Sequence, residues 1–365
     1  MGVLTAHSTT SLFRDLLARP LLTVNGKEGT GGEMKPQTIR RLTSFSAFLA
    51  TLSVLVSCNP CNDNAGEIQN VNGDVFQGPE FTVVTFNMLH GFGSGVNDDT
   101  LDDRLNLLAR EIVRTRPDAV LIQEASITSM KTHCNVIDRL ANQVNDALGG
   151  EVKSYNWIYA RANGSADLMN FEEGSAVLSR YEILSSEVFV YRHNATWLPE
   201  SRIALRVTLR GDAADIDVFG THLTNLEDTA GSELVRTLQA RELVEEIIPS
   251  RGNTNPVVVG GDFNALPESA TIHEMIDAGA VDMFANQNPA ADGYTSFCDE
   301  FDITDPMEEP CQRIDYLFMM DVGGVVTDST RFLDMARDID RGPMEKWLWA
   351  SDHIGVKATF RPSGY

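Results

Sequence analysis

The stretch that decides the fold is "VVVGGDFNA", from Val257 to Ala265. Its short run of valines predicts a buried β-strand. Asp262 and Asn264 follow that run directly. A carboxylate beside a buried strand is costly unless it has partners. The stretch therefore raises the question of whether other strands end in the same way.

Polar residues stand at the ends of other predicted strands as well. They are Asn87 after "TVVTF", Glu124 after "VLIQ", His222 after "VFGT", Asp315 within "RIDYLF", and Asp352 with His353 before the last strand. One such residue is usually a cap or a solvated turn. So many together indicate strand ends that converge on a single cleft.

Strand and helix patterns follow one another through most of the chain. Phe81 to Leu89 and Asp118 to Ala125 read as strands. Between them Leu101, Leu105, Leu108 and Ile112 mark one face of a helix. A later helix, from about Gly231 to Ile248, precedes the strand at Val257. Its predicted inner side consists of Leu234, Val235, Leu238, Val244 and Ile248. The repeated strand, helix, strand order favours an α/β sandwich over an all-β barrel.

Length and charge limit the possibilities further. With 365 residues and 42% hydrophobic content, the chain is expected to form one large domain. It carries 52 acidic and 29 basic residues, a net charge of -23. Such a charge repels polyanions, which counts against nucleic acid as a partner without excluding it.

The N-terminal region predicts export. Residues 1–33 show no sustained periodicity and are interpreted as a non-native upstream extension, with Met34 as the start. Residues 34–57 combine a basic segment with a short apolar run, as a signal peptide does. "LVSC" resembles a bacterial lipobox, which predicts a lipid anchor at Cys58 and attachment to the outer membrane or cell surface. The alternatives are an ordinary signal peptide or a buried helix.

The boundary of the folded domain is expected near Glu80. Residues 58–79 are polar and rich in Asn and Gly, which is typical of a flexible tether. Residues 80–365 then form the catalytic domain, and we expect a monomer.

Four cysteines follow Cys58, and they allow three pairings. Cys298 and Cys311 flank an acidic loop that has no His and no close Cys pair for zinc, so a disulfide between them is the preferred interpretation. A bond between Cys61 and Cys134 would follow by elimination.

Seven short motifs together resemble the endonuclease/exonuclease/phosphatase superfamily, which includes pancreatic deoxyribonuclease, abasic-site endonucleases, neutral sphingomyelinases and inositol polyphosphate phosphatases. They are "TFNMLHG", "LIQEA", "GSAVLSR", "GTHL", "GGDFNALP", "RIDYLF" and "SDHIGV", in the family's order between about Phe81 and Phe360. The resemblance implies a four-layered α/β sandwich, with two mixed β-sheets face to face and helices on the outer faces. It also implies a divalent-metal phosphoesterase site at the sheet edges.

The resemblance implies a role for each polar strand-end residue. Asn87, Glu124 and Asp352 would hold Mg²⁺ or Mn²⁺, because these ions prefer oxygen ligands; zinc suits such ligands less well. His222 would donate to a phosphoryl oxygen, and Asn264 would position water or phosphate.

Asp315 would accept a hydrogen bond from the His353 ring and fix its tautomer. Whether His353 or Asp262 is the general base stays open. Arg202 would contact phosphate, or would simply be a surface charge.

The preferred function is a metal-dependent phosphoesterase that hydrolyses a small or lipid phosphoester with an activated water. The first alternative is a secreted metal-dependent nuclease. The second is a non-catalytic binding lipoprotein on the same fold, which predicts losses among Glu124, His222, Asp262 and His353. None of these four is lost.

Overall fold

The structure is a computed structural model. It describes residues 78–89, 100–126, 136–149, 155–165, 171–194, 201–225, 230–298, 302–320, 323–338 and 347–363. The chain divides after Cys58, and every described residue belongs to the unit Asn59–Tyr365. The predicted extension, signal peptide and lipid anchor lie outside the described residues, as do Cys61, Cys134 and nearly all of the tether.

The first sheet has six strands. They are β1 (Phe81–Asn87), β2 (Ala119–Ser126), β3 (Asn156–Ser165), β4 (Phe171–Ser179), β13 (Val325–Phe332) and β16 (Gly355–Arg361). Their spatial order is β13-β16-β1-β2-β4-β3. Only the central pair, β1 with β2, is parallel; β16 runs antiparallel to β1 on its other side.

The second sheet repeats this plan. Its strands are β5 (Ile183–Val190), β6 (Ile203–Leu209), β7 (Ile216–His222), β8 (Val257–Asp262), β9 (Val281–Asp282) and β12 (Asp315–Met319). Their order is β5-β6-β7-β8-β12-β9. The pair β7 and β8 is parallel, and β12 runs antiparallel to β8.

Helices cover the outer faces of both sheets. They are α1 (Leu101–Thr115), α2 (Val136–Leu148), α3 (Ala230–Glu242) and α4 (Ala270–Asp277). A further short helix, α5 (Met283–Gln287), instead contributes Met283 and Phe284 to the apolar layer between the sheets. The apolar residues of α1 and α2 pack on the first sheet, and those of α3 and α4 pack on the second. The described residues contain no helix that is long and apolar enough to cross a membrane.

Side-chain alternation along the strands builds the layers. In β1, Val84 and Phe86 face the helices, whereas Phe81 and Val83 face the other sheet. In β12, Leu317 lies between the sheets. Because strand side chains alternate with a period of two, each central strand contributes to two apolar layers. The predicted four-layered α/β sandwich is confirmed.

One helix prediction was wrong in detail. After Glu242, α3 continues as a π-helical turn, Leu243–Ile247, and then as Ile248–Ser250. Leu234, predicted on the inner side, is 57% exposed. Val244 and Ile248 are buried as predicted, and Ala240, Leu243 and Ile247 share that buried face with them. A π turn adds a residue per turn, so a strict helical period cannot fit both halves of this segment.

Two glycines just before Asp262 let neighbouring strands and the facing sheet approach the backbone closely. A Cβ on Gly260 would lie 2.6 Å from Leu121 Cδ1 of the first sheet. A Cβ on Gly261 would lie 2.1 Å from the carbonyl oxygen of Thr221 on the neighbouring strand. Only glycine leaves room for both approaches at the end of β8.

Two short hairpins complete the described fold. One consists of β14 (Arg337–Asp338) and β15 (Trp347–Leu348). The other consists of β10 (Ser296–Phe297) and β11 (Pro310–Gln312), and a disulfide between Cys298 and Cys311 closes it. This disulfide confirms the preferred pairing.

Candidate active site

The polar strand-end residues meet at one edge of the sandwich. Parallel strands bring their carboxyl ends to the same edge, so β1 lies beside β2 there, and β7 beside β8. Antiparallel β16 and β12 begin at that edge. The sheets thus bring together Asn87, Glu124, His222, Asp262, Asp315, Asp352 and His353.

Glu124 lies inside β2, directly after the apolar run, as the strand predicted from Asp118 to Ala125 implies. The pairing register with β4 shifts between Ile122 and Ala125, and Glu124 has a φ of 53°. A left-handed conformation is costly for a residue with a side chain and is common at functional sites. The bulge re-aims the Glu124 carboxylate, which is half-buried, at the site edge.

Asn87 links the two sheets. Its Nδ2 donates to Glu124 Oε1 at 3.2 Å and to Asp262 Oδ2 at 3.1 Å. Its Oδ1 accepts from the backbone N–H of Leu89 at 3.1 Å. The side chain is fully buried, so these bonds fix its orientation.

Asp262 is at the centre of the cluster and is only 1% exposed. Its Oδ1 accepts from the backbone N–H of Asn264 at 2.8 Å. Its Oδ2 lies 3.5 Å from His222 Nε2 and 3.8 Å from His353 Nε2. Burial, together with the charge of Asp315, raises the pKa of Asp262 to about 7. A carboxylate in this range is able to accept a proton near neutral pH.

His353 is oriented by Asp315. Its Nδ1 lies 2.8 Å from Asp315 Oδ2, and both side chains are buried. Burial opposes the charged ring, but the carboxylates of Asp315 and Asp262 outweigh that effect. They hold the pKa of His353 well above its usual value. The hydrogen bond predicted between Asp315 and His353 is therefore present.

Asp352 is half-buried beside His353. Ser351 Oγ donates to Asp352 Oδ1 at 3.1 Å and accepts from the His353 backbone N–H. Burial raises the pKa of Asp352, the charge of His353 opposes this shift, and the charge of Glu124 adds to it. Glu124 and Asp352 are thus close enough to repel each other, as two ligands of one cation would before the ion binds.

Asn264 adopts a left-handed φ of 49° immediately after β8. Its Nδ2 donates to the Leu223 carbonyl, just past His222, at 3.1 Å. It therefore connects the ends of β7 and β8, next to the carboxylate that it also caps.

Arg202 is buried rather than a surface charge, with 4% exposure. Its guanidinium donates to Asn225 Oδ1 at 3.2 Å and lies 4.0 Å from Glu173 Oε1. Strand pairing sets Ala204 opposite Thr221, so Arg202 lies close to the His222 end of β7. The surface-charge interpretation was wrong.

Two further arginines approach the site without any sequence signal. Arg104 of α1 is 2% exposed and donates to the carbonyls of Met88 and Leu89 at 2.7 and 2.8 Å. Arg236 of α3 donates to the Thr224 carbonyl at 3.3 Å, and burial lowers the pKa of Arg236 while the charges of Glu233 and Asp262 oppose that shift. Their helical spacing alone suggests solvated positions. Their carbonyl partners lie on loops that approach these helices only in the folded chain.

A family model described as "Endonuclease/Exonuclease/phosphatase family" matches residues 84–353, which include every strand-end residue above. The chain belongs to this family. Members of the endonuclease/exonuclease/phosphatase family are typically hydrolases that act on phosphoesters, and the resemblance read from the motifs is confirmed.

Individual relatives are more distant. The chain is 28% identical over 192 residues to "Protein angel" of Drosophila melanogaster, and this match covers 50% of the chain and 49% of that protein. The chain thus spans about half the length of that relative.

Solved structures share the fold of this family member. An endonuclease/exonuclease/phosphatase family protein from Bacteroides thetaiotaomicron has 18% identity and a TM-score of 0.58, over 77% of this chain and 94% of that one. A mannosyl-6-phosphatase from the same organism has 17% identity and a TM-score of 0.55, over 77% and 99%. At these identities the similarity concerns the fold.

Two groups of side chains at the family site have the chemistry of a metal site. The ligand atoms of Asp262, Asp315 and His353 all lie within 4.8 Å of one another. However, the imidazole and Asp315 are already engaged in a hydrogen bond. Asn87, Glu124 and Asp352 instead offer oxygen atoms only, two of them on half-buried carboxylates. Hard cations such as Mg²⁺ prefer this second donor set.

Proposed function

We propose that this chain is a divalent-metal-dependent phosphoesterase that uses an activated water to hydrolyse a small or lipid phosphoester. The observation that carries the proposal is the position of Asp262. This buried carboxylate lies near the imidazoles of His222 and His353. Asn87 donates hydrogen bonds both to it and to the Glu124 carboxylate. Hydrolysis needs a base for water and positive groups around phosphate, and one sheet edge supplies both.

Asn87, Glu124 and Asp352 would hold the cation. Their donor set fits Mg²⁺ or Mn²⁺, since it contains neither sulfur nor imidazole. When bound, such an ion neutralises charge on a phosphoryl oxygen and stabilises the leaving oxygen.

Asp262 takes the proton of the attacking water. Its raised pKa keeps the carboxylate basic enough for this task, and the N–H of Asn264 orients it. The water oxygen forms the new bond to phosphorus. The bond to the leaving oxygen breaks, and that oxygen takes up a proton from solvent.

His353 and His222 bind the phosphoryl oxygens. The elevated pKa of His353 favours an imidazolium, which is a donor rather than a base. Asp315 holds that ring by its Nδ1, so Nε2 points towards Asp262 and the reacting group. The open choice between the two bases is therefore resolved, in our proposal, in favour of Asp262.

Charge supports a small or zwitterionic substrate over nucleic acid. The chain has a net charge of -23, and Arg104 and Arg202 near the site are buried and hydrogen-bonded within the protein. Proteins that bind nucleic acid usually present a basic, exposed surface.

The test is hydrolysis by the purified full chain of bis(p-nitrophenyl) phosphate, a phosphomonoester, sphingomyelin and plasmid DNA, each with Mg²⁺ and with chelator. We expect turnover that chelator abolishes, with the small or zwitterionic substrates preferred.

A salt series separates the nuclease alternative. If the chain cleaves DNA efficiently, loses that activity steeply between about 20 and 200 mM NaCl, and leaves sphingomyelin intact, it is a nuclease with a basic groove. If Mg²⁺ binds and none of the four substrates is turned over, the proposal fails for these substrates and the binding-protein alternative is favoured.

A further inference from the structure

Thr295 lies just before β10 and is fully buried between the two halves of the site. Its Oγ1 accepts hydrogen bonds from the backbone N–H groups of Ile314 and Asp315, each at 3.1 Å. Its own N–H donates to the Gln312 carbonyl at 2.8 Å. The Thr295 hydroxyl therefore fixes the start of β12, where Asp315 stands.

The same residue also holds the segment that carries His353. The Thr295 carbonyl accepts from the Ile354 N–H at 2.5 Å. Two residues on, the Phe297 N–H donates to the Asp352 carbonyl at 3.3 Å, and Ser296 forms an antiparallel bridge with His353. Residues 295–297 thus run alongside residues 352–354.

These contacts join the two sheets at the site edge. Asp315 begins β12 of the second sheet, whereas His353 precedes β16 of the first. The hydrogen bond between them therefore crosses from one sheet to the other. Thr295 is bonded to the backbone on both sides of that crossing, and the Cys298–Cys311 disulfide closes the hairpin that begins there.

We propose that Thr295 is a positioning residue for hydrolysis, and that the hairpin closed by Cys298–Cys311 keeps the His353 ring within hydrogen-bonding distance of Asp315. Thr295 acts through these two residues and does not touch the substrate. The kinetic part of this proposal rests on the proposed function, whereas its structural part stands on the backbone contacts.

The physical reason lies in the two N–H groups that share one acceptor. Without the hydroxyl, the N–H groups of Ile314 and Asp315 are left buried and unsatisfied, and the backbone must shift to find other partners. A displacement of about 1 Å at a catalytic group lowers the rate by up to about 100-fold.

The test compares Thr295→Val, which keeps the side-chain shape but removes the hydroxyl, with Thr295→Ser, which keeps the hydroxyl. In Thr295→Val we expect kcat on bis(p-nitrophenyl) phosphate to fall by about 10- to 100-fold with little change in KM. Thr295→Ser should keep kcat near the wild-type value. Melting temperature is measured for both variants.

A proton NMR readout follows the hydrogen bond itself. The Nδ1–H of a histidine bonded to a carboxylate resonates far downfield, and His353→Gln assigns the signal. We expect this signal to persist in Thr295→Ser and to broaden or vanish in Thr295→Val. It requires no turnover, so it tests the positioning role even if the wild-type chain hydrolyses none of the substrates and the proposed function fails.

The disulfide is tested by the double variant Cys298→Ser/Cys311→Ser. It should lower kcat and broaden the same resonance. A dithiol reductant acting on the wild type should do likewise, because it removes the same bond. It delivers two electrons and two protons to the disulfide and is itself oxidised to a disulfide.

Two results would overturn the proposal. One is a Thr295→Val variant with normal kcat and a normal Nδ1–H signal. The other is an equal loss in Thr295→Val and Thr295→Ser, which would show that keeping the hydroxyl is not sufficient and that the fit of the whole side chain is what matters.

Discussion

The two sheets have the same plan but contribute different chemistry to the site. Each has a central parallel pair whose carboxyl ends reach the same edge. The first sheet presents the half-buried carboxylates of Glu124 and Asp352 there, with Glu124 in a left-handed bulge. The second presents Asp262, buried among hydrogen bonds after two glycines. A site that binds a cation needs access, whereas a base with a raised pKa needs burial, and separate sheets can satisfy both needs.

The largest effect is expected in the second sheet. Asp262→Asn keeps the size of the side chain but removes the base, so kcat should fall by about 10²- to 10⁴-fold. The measurement is hydrolysis of bis(p-nitrophenyl) phosphate at saturating Mg²⁺. Glu274→Gln, which alters a surface ion pair with Arg241 on the outer helices, serves as the control and should leave the rate unchanged. An Asp262→Asn enzyme with more than a tenth of the normal rate would contradict the assignment.

The first sheet should respond differently, through the cation. Glu124→Gln weakens one oxygen ligand, so the Mg²⁺ concentration for half-maximal rate should rise at least about 10-fold, with recovery at high Mg²⁺. A titration of rate against Mg²⁺ measures this. If Asp315→Asn shifts that titration and Glu124→Gln does not, the cation lies instead in the group formed by Asp262, Asp315 and His353.

A third effect concerns stability against pH in chelator. The folded-state pKa of Asp262, about 7, exceeds its unfolded value, so the folded protein holds an extra proton between about pH 4 and 7. Stability should therefore fall as pH rises through that window, by at least about 1 kcal/mol. His353, whose pKa is also raised, acts with the same sign above its usual pKa. Urea unfolding at several pH values should show a flatter profile for Asp262→Asn. An equally steep profile would place the extra proton elsewhere.

The smallest effect is expected outside both sheets. Leu234→Ala on α3 should change the free energy of unfolding by no more than about 0.5 kcal/mol, because the side chain is mostly exposed. The matched variant Leu243→Ala, at a fully buried position of the π turn, should cost about 2 to 5 kcal/mol. Similar losses in both variants would mean that Leu234 lies on the inner side of the helix, as its spacing predicted.

Much of this architecture was predictable because strands and their ends leave local signals. The valine run before Asp262 and the alternation before Asn87 are visible without neighbours, and the family motifs supply their order. The Glu124 bulge is not visible, because its backbone conformation depends on pairing with β4. Nor is Thr295, since its partners Asp315 and Ile354 are 20 and 59 positions away in the chain.

The exposure of Leu234 shows a different limit. A helical period gives candidate faces, and contacts with the second sheet decide which face is buried. The buried positions of Arg104 and Arg202 also lie beyond pattern reasoning. An arginine is ordinarily exposed, and only tertiary carbonyl and amide partners make its burial tolerable.

The pairing of β1 with β16 has a practical consequence for attaching this protein to a support. Phe81 opens β1 opposite Phe360 near the close of β16, so the start of the first described strand and the end of the last lie side by side. Both points lie at the far ends of the strands from Asn87 and His353, about 20 Å away for a strand of this length. A resin, electrode or fusion partner coupled next to Phe81 or Phe360 would be attached on the side opposite the site. The edge that carries Asn87 and His353 would then face the bulk liquid.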